Sequence, residues 1–204
     1  MGLFSGRRKK TKNTHTDFAQ NEEACVAKKA VGPFDSKEVQ GPGNRIDAGA
    51  LWLPPAEGTS IQFITDESQT QVIGVVYILG DSALQMQVFA APKSANIWDE
   101  VRLDMRTSIA GQGGSSKEMN GPFGKELMAN MPVANSKNFA PHRFLGIDGP
   151  RWMLRASLYG RAGSDPRAAA GLLEILAQTV VYRGEEPRTP RELLPLRLPH
   201  IAKK

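Results

Sequence analysis

Residues 144–159, with the sequence FLGIDGPRWMLRASLY, carry the strongest signal for the fold. Asp148-Gly149 is a dipeptide that favours a tight β-hairpin turn, although the proline that follows weakens this signal. After the turn, apolar and polar side chains alternate as they do along a strand with one face in a hydrophobic core. The predicted core face consists of Trp152, Leu154, Ala156 and Leu158. The stretch therefore predicts two strands joined by a turn, the second of which contributes one face to the core.

The residues upstream of this stretch predict further strands. Runs rich in β-forming residues occur at 50–53, 61–65 and 72–79, and residues 84–89 alternate like a half-buried strand. Another strand pair is expected to turn at Asn120-Gly121-Pro122.

Two segments have the apolar spacing of helices. Asn96 is the expected N-cap of the first, which should end at the glycine-rich run 111–114. Its apolar stripe consists of Ile97, Val101, Met105 and Ile109. Asp165 is the expected N-cap of the second, with Pro166 at its first position and an expected stop at Arg183-Gly184. The apolar stripe of this second helix consists of Ala169, Leu172, Leu173, Leu176 and Val180.

This order of strands, helix, strands and helix, with short links, predicts an α+β fold. We expect a mostly antiparallel sheet flanked by helices. The pattern is similar to that of the photosystem protein PsbP and the nuclear-import factor Mog one. The folded domain is expected at residues 44–184, after a basic, largely disordered tail at 1–43. A Pro/Leu-rich segment at 185–204 is expected to pack on the domain.

Four phrases of the sequence together resemble a known family. They are Gly32-Pro33-Phe34-Asp35-Ser36, GPFGKEL at 121–127, RFLGIDGPRW at 143–152 and LPLRLP at 194–199. They resemble an actinobacterial family known as domain of unknown function 3710, over about residues 31–199. The resemblance implies a short basic N-terminal segment, and it carries over no substrate, cofactor or catalytic residue.

The positive charge of the chain is concentrated at its N-terminus. The chain has 26 Lys and Arg against 21 Asp and Glu. Five cations lie among the first twelve residues, where there is no acidic residue: Arg7, Arg8, Lys9, Lys10 and Lys12. These five account for the whole net charge of +5. They are candidate anion-binding residues for an anionic membrane surface or for nucleic acid, with a solubilising tail as the simpler alternative.

The strand that follows the predicted turn has a second, polar face. Alternation places four residues there as a candidate anion-binding face: Arg151, Arg155, Tyr159 and Arg161. Cations interleaved with an aromatic ring suit phosphate or an acidic partner. Ion pairs with the helix acids Glu100 and Asp104 would explain the same residues equally well.

The sequence offers no constellation typical of catalysis or of metal binding. His142 is the histidine within the expected domain, where a triad would have to use Asp148 or Asp81, and no nucleophile-elbow motif is present. Cys25 has no His or Cys at metal-ligand spacing. Asp99, Glu100 and Asp104 suit a solvated helix face. We therefore predict no catalytic residues, no metal and no cofactor.

These observations favour a non-enzymatic cytoplasmic binding or scaffold module with an unknown protein or polyanion partner. No apolar run approaches the roughly 18 residues that cross a bilayer, and no signal peptide is evident. Two alternatives stay open. One is a nucleic-acid-associated protein that uses the tail and the arginine-rich strand face, and the other is an enzyme with dispersed active-site residues.

Overall fold

A computed structural model of the protein describes residues 32–199. This part of the chain forms eleven β-strands and two α-helices, with two short 3-10 turns. In chain order the strands are β1 (Phe34–Asp35), β2 (Ile46–Asp47), β3 (Leu51–Leu53), β4 (Ser60–Thr65), β5 (Val72–Leu79), β6 (Ser82–Ala90), β7 (Ser115–Gly121), β8 (Gly124–Pro132), β9 (Phe139–Gly149), β10 (Trp152–Gly160) and β11 (Val180–Val181). The helices are α1 (Trp98–Gly111) and α2 (Pro166–Gln178).

The strands form a large and a small sheet. The large sheet has seven strands in the order β4-β5-β6-β10-β9-β8-β7, and all its pairs are antiparallel. The small sheet has the order β1-β11-β3-β2, in which β1 and β11 run parallel and the other pairs are antiparallel. The predicted α+β class, with a mostly antiparallel sheet flanked by helices, is confirmed.

The hairpin between β9 and β10 turns two residues later than predicted. Trp152 lies opposite Gly149, so Pro150 and Arg151 make the turn, and Arg151 has a φ of 65°. A proline suits the first turn position because its ring holds φ near about −65°. Gly149 instead belongs to β9, where a Cβ atom would overlap the ring of Trp152.

The two helices cover opposite faces of the large sheet. Leu172 and Leu176 of α2 belong to the same core cluster as Trp152 and Leu154. The α1 stripe packs on the other face, where Ile97 and Trp98 of the α1 start join Met153 of β10 in a second cluster. The side of β10 that carries Arg155 therefore lies beneath α1. The local pattern identifies an apolar stripe but does not say which sheet face it meets.

The second helix ends earlier than predicted. It stops at Gln178 rather than near Arg183, and Val180 belongs to β11 instead of the helix stripe. Thr179 is extended, with φ −67° and ψ 144°. The run from Thr179 to Val181 consists of β-branched residues, which favour extended backbone, and β11 pairs with strands on both sides.

The folded chain begins before residue 44, contrary to the expected extent of the tail. Phe34 and Asp35 form β1 beside β11. Asp35 is buried, and its carboxylate accepts a hydrogen bond of 2.7 Å from Nε1 of Trp152, 117 positions away. Such distant partners leave no periodic signal in the local sequence.

The segment after β11 lies along the ends of β5 and β6. The Leu194 amide donates to the Val88 carbonyl over 2.8 Å, and the Ala90 amide donates to the Glu192 carbonyl over 2.8 Å. Leu194 and Leu196 are buried, whereas Leu198 is exposed. Neither helix in residues 32–199 has both the length and the apolar character needed to cross a membrane.

Candidate anion-binding groove

The start of α1 is held by a carboxylate from β9. Oδ1 of Asp148 accepts hydrogen bonds from the amides of Ile97 (2.9 Å) and Trp98 (3.3 Å). Asn96 was predicted to cap this helix, but the N-cap position is Ile97, which makes no side-chain cap bond. Burial raises the pKa of Asp148, against the opposing effect of these two amide bonds. A distant residue therefore fixes where α1 begins above the sheet.

A groove runs between α1 and the strands β6 and β10. Its volume is about 280 Å³, and Val101, Met105 and Ser108 line its helix side. Phe89, Met153 and Arg155 line its sheet side, with Ile97 at the helix start. The walls are mostly apolar, as is usual for small-molecule pockets.

Arg155 is the charged group on the sheet side of this groove. It lies directly across from Gln87 in the pairing of β10 with β6, and its Nη2 donates a hydrogen bond to Oε1 of Gln87. Nε2 of Gln87 donates to the Ile73 carbonyl over 3.1 Å, which turns the amide oxygen toward the arginine. The guanidinium carbon lies 5.2 Å from the centre of the Phe89 ring.

The charge of Arg155 has no acidic partner within the described residues. The ion pairs found there, with N to O distances up to 4.0 Å, do not include it. Burial lowers the pKa of its guanidinium, and Tyr159 opposes this effect. Arginine stays protonated in proteins, so the groove contains a half-buried positive charge.

The acids of α1 pair with an arginine that sequence reasoning missed. Arg191 donates to Oε2 of Glu100 over 2.9 Å and to Oδ2 of Asp104 over 2.8 Å at the rim of the groove. The open alternative of ion pairs between Glu100 or Asp104 and the strand arginines is therefore not realised. Arg191, in the segment after β11, pairs with both acids and offsets one of their two negative charges, and Arg155 is bound to Gln87 instead.

The glycines of the motifs at 121–127 and 143–152 allow bulky side chains to pack against the backbone. A Cβ atom on Gly146 would overlap the Trp98 ring, and one on Gly121 would overlap the carboxylate of Glu126. Glu126 in turn accepts two hydrogen bonds from Arg143, of 2.6 and 3.1 Å. The phrases around residues 121, 146 and 149 thus have packing roles.

The same phrases carry the family relationship. The family model described as protein of unknown function (DUF3710) matches residues 32–204. The chain belongs to this family. No curated protein and no solved structure matches the DUF3710 chain, so its likeness to PsbP and Mog one stays a prediction.

The structure separates the four residues of the predicted arginine face in this DUF3710 protein. Arg155 and Tyr159 lie on β10, and the Tyr159 hydroxyl donates to Oε1 of Gln85 over 2.7 Å. Arg151 is in the turn before the strand, and Arg161 follows Gly160 in a 3-10 turn. Nε of Arg161 pairs with Oδ2 of Asp165 over 2.9 Å. Anion binding by these four residues stays a prediction. Of the four, Arg155 is the one that lines the groove.

Other predicted residues lie elsewhere. The tail cations Arg7, Arg8, Lys9, Lys10 and Lys12 lie outside the described residues, and so does Cys25. Nδ1 of His142 is 3.0 Å from the Ala140 carbonyl, and its ring contacts Phe144 and Tyr159. Asp148 is six residues further along β9, about 20 Å away at the rise of a strand. The Asp81 carboxylate accepts a hydrogen bond from Ser82, and the side-chain hydrogen bond found for His142 goes to the Ala140 carbonyl rather than to either acid considered for a triad.

Sequence reasoning missed Gln87, Phe89 and Arg191. Gln85 and Gln87 alternate with buried Leu84 and Met86, which was a signal for a polar strand face. The pairing of β6 with β10, which sets Gln87 across from Arg155, could not be derived from that alternation.

Proposed function

We propose that this protein is a non-enzymatic binding module that takes the acidic end of an apolar ligand into the groove beneath α1. The observation that supports this proposal is the half-buried guanidinium of Arg155, which has no carboxylate partner among residues 32–199.

The groove offers such a ligand two kinds of interaction. A guanidinium has five N–H donors, and the bond to Gln87 uses one of them. A carboxylate on the remaining donors would gain charge-assisted hydrogen bonds, which are the stronger kind. The apolar walls formed by Phe89, Met105 and Met153 would bury the rest of the ligand.

The size of the groove favours a small amphiphile. Ligand pockets typically span about 300–1,000 Å³, and the volume of this groove is just below that range. We propose a carboxylic acid with a single short apolar chain as the ligand class. Arg191 offsets one of the two negative charges of Glu100 and Asp104, which reduces their repulsion of an anion.

A fluorescence titration tests the proposal. Anilinonaphthalene sulfonate, an apolar ring system with an anionic group, should bind to the purified full-length protein, and octanoate should displace it. Octanol, which has the same chain without the charge, should displace it far less. Arg155→Gln should weaken the binding of both anions by about tenfold to a hundredfold, because one charge-assisted contact contributes about 1.5–3 kcal/mol.

A matched variant controls for the loss of one charge. Arg106 lies on α1, is exposed and pairs with Glu118 outside the groove. Arg106→Gln should leave both affinities unchanged, and Arg155→Gln should leave thermal stability nearly unchanged. Equal binding to Arg155→Gln and to the unaltered protein would exclude the groove as the anion site.

We also propose that the protein works in the cytoplasm and that its N-terminal cations add a second contact. Five cations without an acid in twelve residues favour a polyanion such as an anionic membrane surface or nucleic acid. A single cysteine suits a reducing compartment. This contact would be weak and sensitive to salt.

A further inference from the structure

A second cleft lies beside the small sheet, away from Arg155. Its volume is about 670 Å³. The strand ends around Trp52 and Tyr182 line one part of it, and Arg188, Pro195 and Arg197 of the following segment line another. Its volume is within the range of about 300–1,000 Å³ that small-molecule sites occupy.

Two aromatic rings form a platform in this cleft. Trp52 lies opposite Val180 in the pairing of β3 with β11, so Tyr182, two residues further on, is its diagonal neighbour. The two rings are nearly parallel, at 14°, with centroids 5.8 Å apart. Tyr182 is 49% exposed, so much of its ring surface meets solvent. An exposed stacked pair can be extended by a third flat ring.

Arg183 provides a cation in the same cleft. Its Nε donates to the Arg151 carbonyl over 3.1 Å and its Nη1 donates to the Glu186 carbonyl over 3.0 Å. These two bonds fix the guanidinium through backbone oxygens, and the ion pairs of the described residues do not include it. Burial lowers the pKa of Arg183, and the nearby positive charges of Arg151 and Arg188 lower it further, against Glu192 and Glu186.

The other two arginines of the cleft are each paired with carboxylates. Arg188 pairs with Glu186 over 3.0 Å and with Glu192 over 2.9 Å. Arg197 pairs with Asp47 over 2.6 Å, and Glu185 is an exposed residue of the same cleft. Among the arginines of the cleft, the guanidinium without a carboxylate partner in the described residues is therefore that of Arg183.

We propose that this cleft binds a mononucleotide, with its base stacked on Tyr182 and its phosphate on Arg183. Each part of the ligand meets a complementary group. A base has a flat π face that stacks on an aromatic side chain, and a guanidinium fork matches phosphate oxygens. Tyr182 and Arg183 both line this cleft. This site is independent of the groove at Arg155.

Titration of the full-length protein with AMP tests this proposal, with Trp fluorescence as the readout. Trp98 and Trp152 are buried, so a base that stacks in the cleft should change the fluorescence emission of Trp52. Calorimetry gives the affinity independently. Adenosine carries the ring without the phosphate and ribose 5-phosphate carries the phosphate without the ring, and each should bind about tenfold or more weakly than AMP.

Variants separate the two groups of the site. Tyr182→Ala should weaken AMP binding by about tenfold, whereas Tyr182→Phe, which keeps the ring, should bind within about twofold of the unaltered protein. Arg183→Gln should lower AMP affinity and leave adenosine affinity unchanged. Arg155→Gln is the control and should leave AMP binding unchanged, which separates failure here from failure of the groove.

Three results would overturn the nucleotide site. They are no AMP binding, equal binding of AMP to Tyr182→Ala and the unaltered protein, and equal affinity for AMP and ribose 5-phosphate. Arg183→Gln removes two bonds to backbone carbonyls, so its melting temperature is measured alongside. If Arg183→Gln does not fold, the comparison of Tyr182→Ala with Tyr182→Phe decides whether AMP binds in this cleft.

Discussion

Trp98 of α1 packs directly on the α-carbon of Gly146 in β9. The indole covers the position that a side chain on residue 146 would occupy, and its Nε1 donates to the Lys125 carbonyl over 2.7 Å. This contact seats the first turn of α1 on the sheet and thereby forms one end of the groove at Arg155.

Gly146→Ala should destabilise the protein, because the added methyl group overlaps the Trp98 ring and forces either the helix or the strand to move. Overpacking of this kind costs about 1–3 kcal/mol. Urea unfolding followed by tryptophan fluorescence measures the change. Gly111→Ala is the matched control, since Gly111 ends the same helix with nothing within 4 Å of its Cβ position. Similar losses for the two variants would show that Trp98 does not rest on Gly146.

Asp148→Ala should destabilise the protein by about 1–2 kcal/mol, the range for loss of a helix cap. Asn96→Ala should have little effect, because Asn96 does not cap α1. Circular dichroism during chemical unfolding provides both values. If Asn96→Ala costs as much as Asp148→Ala, the distant carboxylate is not the cap.

Asp148→Asn should show a pH-dependent difference from the unaltered protein. Burial raises the pKa of Asp148 in the folded state, so the folded protein holds this proton at a higher pH than the unfolded chain. The contribution of this proton to the free energy of unfolding is fully present below the unfolded-state pKa. It is lost as pH rises through the folded-state pKa. The Asn variant has no such proton, so its stability relative to the unaltered protein should increase as pH rises above the unfolded-state pKa of about 4. A constant difference across this range would contradict the shift.

Glu126→Gln should cost about 3–5 kcal/mol, because it leaves the Arg143 guanidinium charged and largely buried without its carboxylate. The side chains of Glu126 and Arg143 are 3% and 13% exposed. Arg106→Gln removes one partner of the exposed pair with Glu118 and should change the unfolding midpoint far less. The double variant Glu126→Gln with Arg143→Met should recover part of the loss. If the double variant is no more stable than Glu126→Gln, the stability effects of Glu126 and Arg143 are not coupled.

Deletion of residues 1–12 should abolish co-sedimentation with acidic liposomes and with DNA at low salt, since it removes five cations. The deletion should leave octanoate and AMP binding unchanged. Unchanged co-sedimentation would mean that the tail only solubilises the protein. Loss with liposomes but not with DNA, or the reverse, would identify the polyanion.

Local patterns predicted much of the secondary structure. The run of β-forming residues at 72–79 predicts β5 with its observed bounds, and the glycine run at 111–114 marks the end of α1. Strand alternation and helix capping involve neighbours within a few residues, so one sequence is enough to detect them. The predictions failed where a contact with a residue far away in the sequence overrode the local preference. Asp148 caps α1 instead of taking part in the turn, and Gly149 accommodates Trp152.

Arg155 illustrates the limit of the sequence at the candidate site. Its alternation with Trp152 and Leu154 placed it correctly on the polar side of β10. Nothing local indicated that Gln87 would face it, that Phe89 would lie under its charge, or that Arg191 would take the helix acids. These contacts depend on strand pairing and on the path of the chain after β11.

The sequence by itself determined the α+β class, most strands, both helices and the family, because these depend on short-range periodicity and on phrases within one stretch of chain. Only the tertiary structure decided which sheet face α1 covers and which side chains meet in the groove and in the cleft. An apolar stripe gains the same burial against either face of a sheet. Which face α1 covers depends on the Asp148 cap and on the packing of Trp98 against Gly146. Both contacts join residues about fifty positions apart.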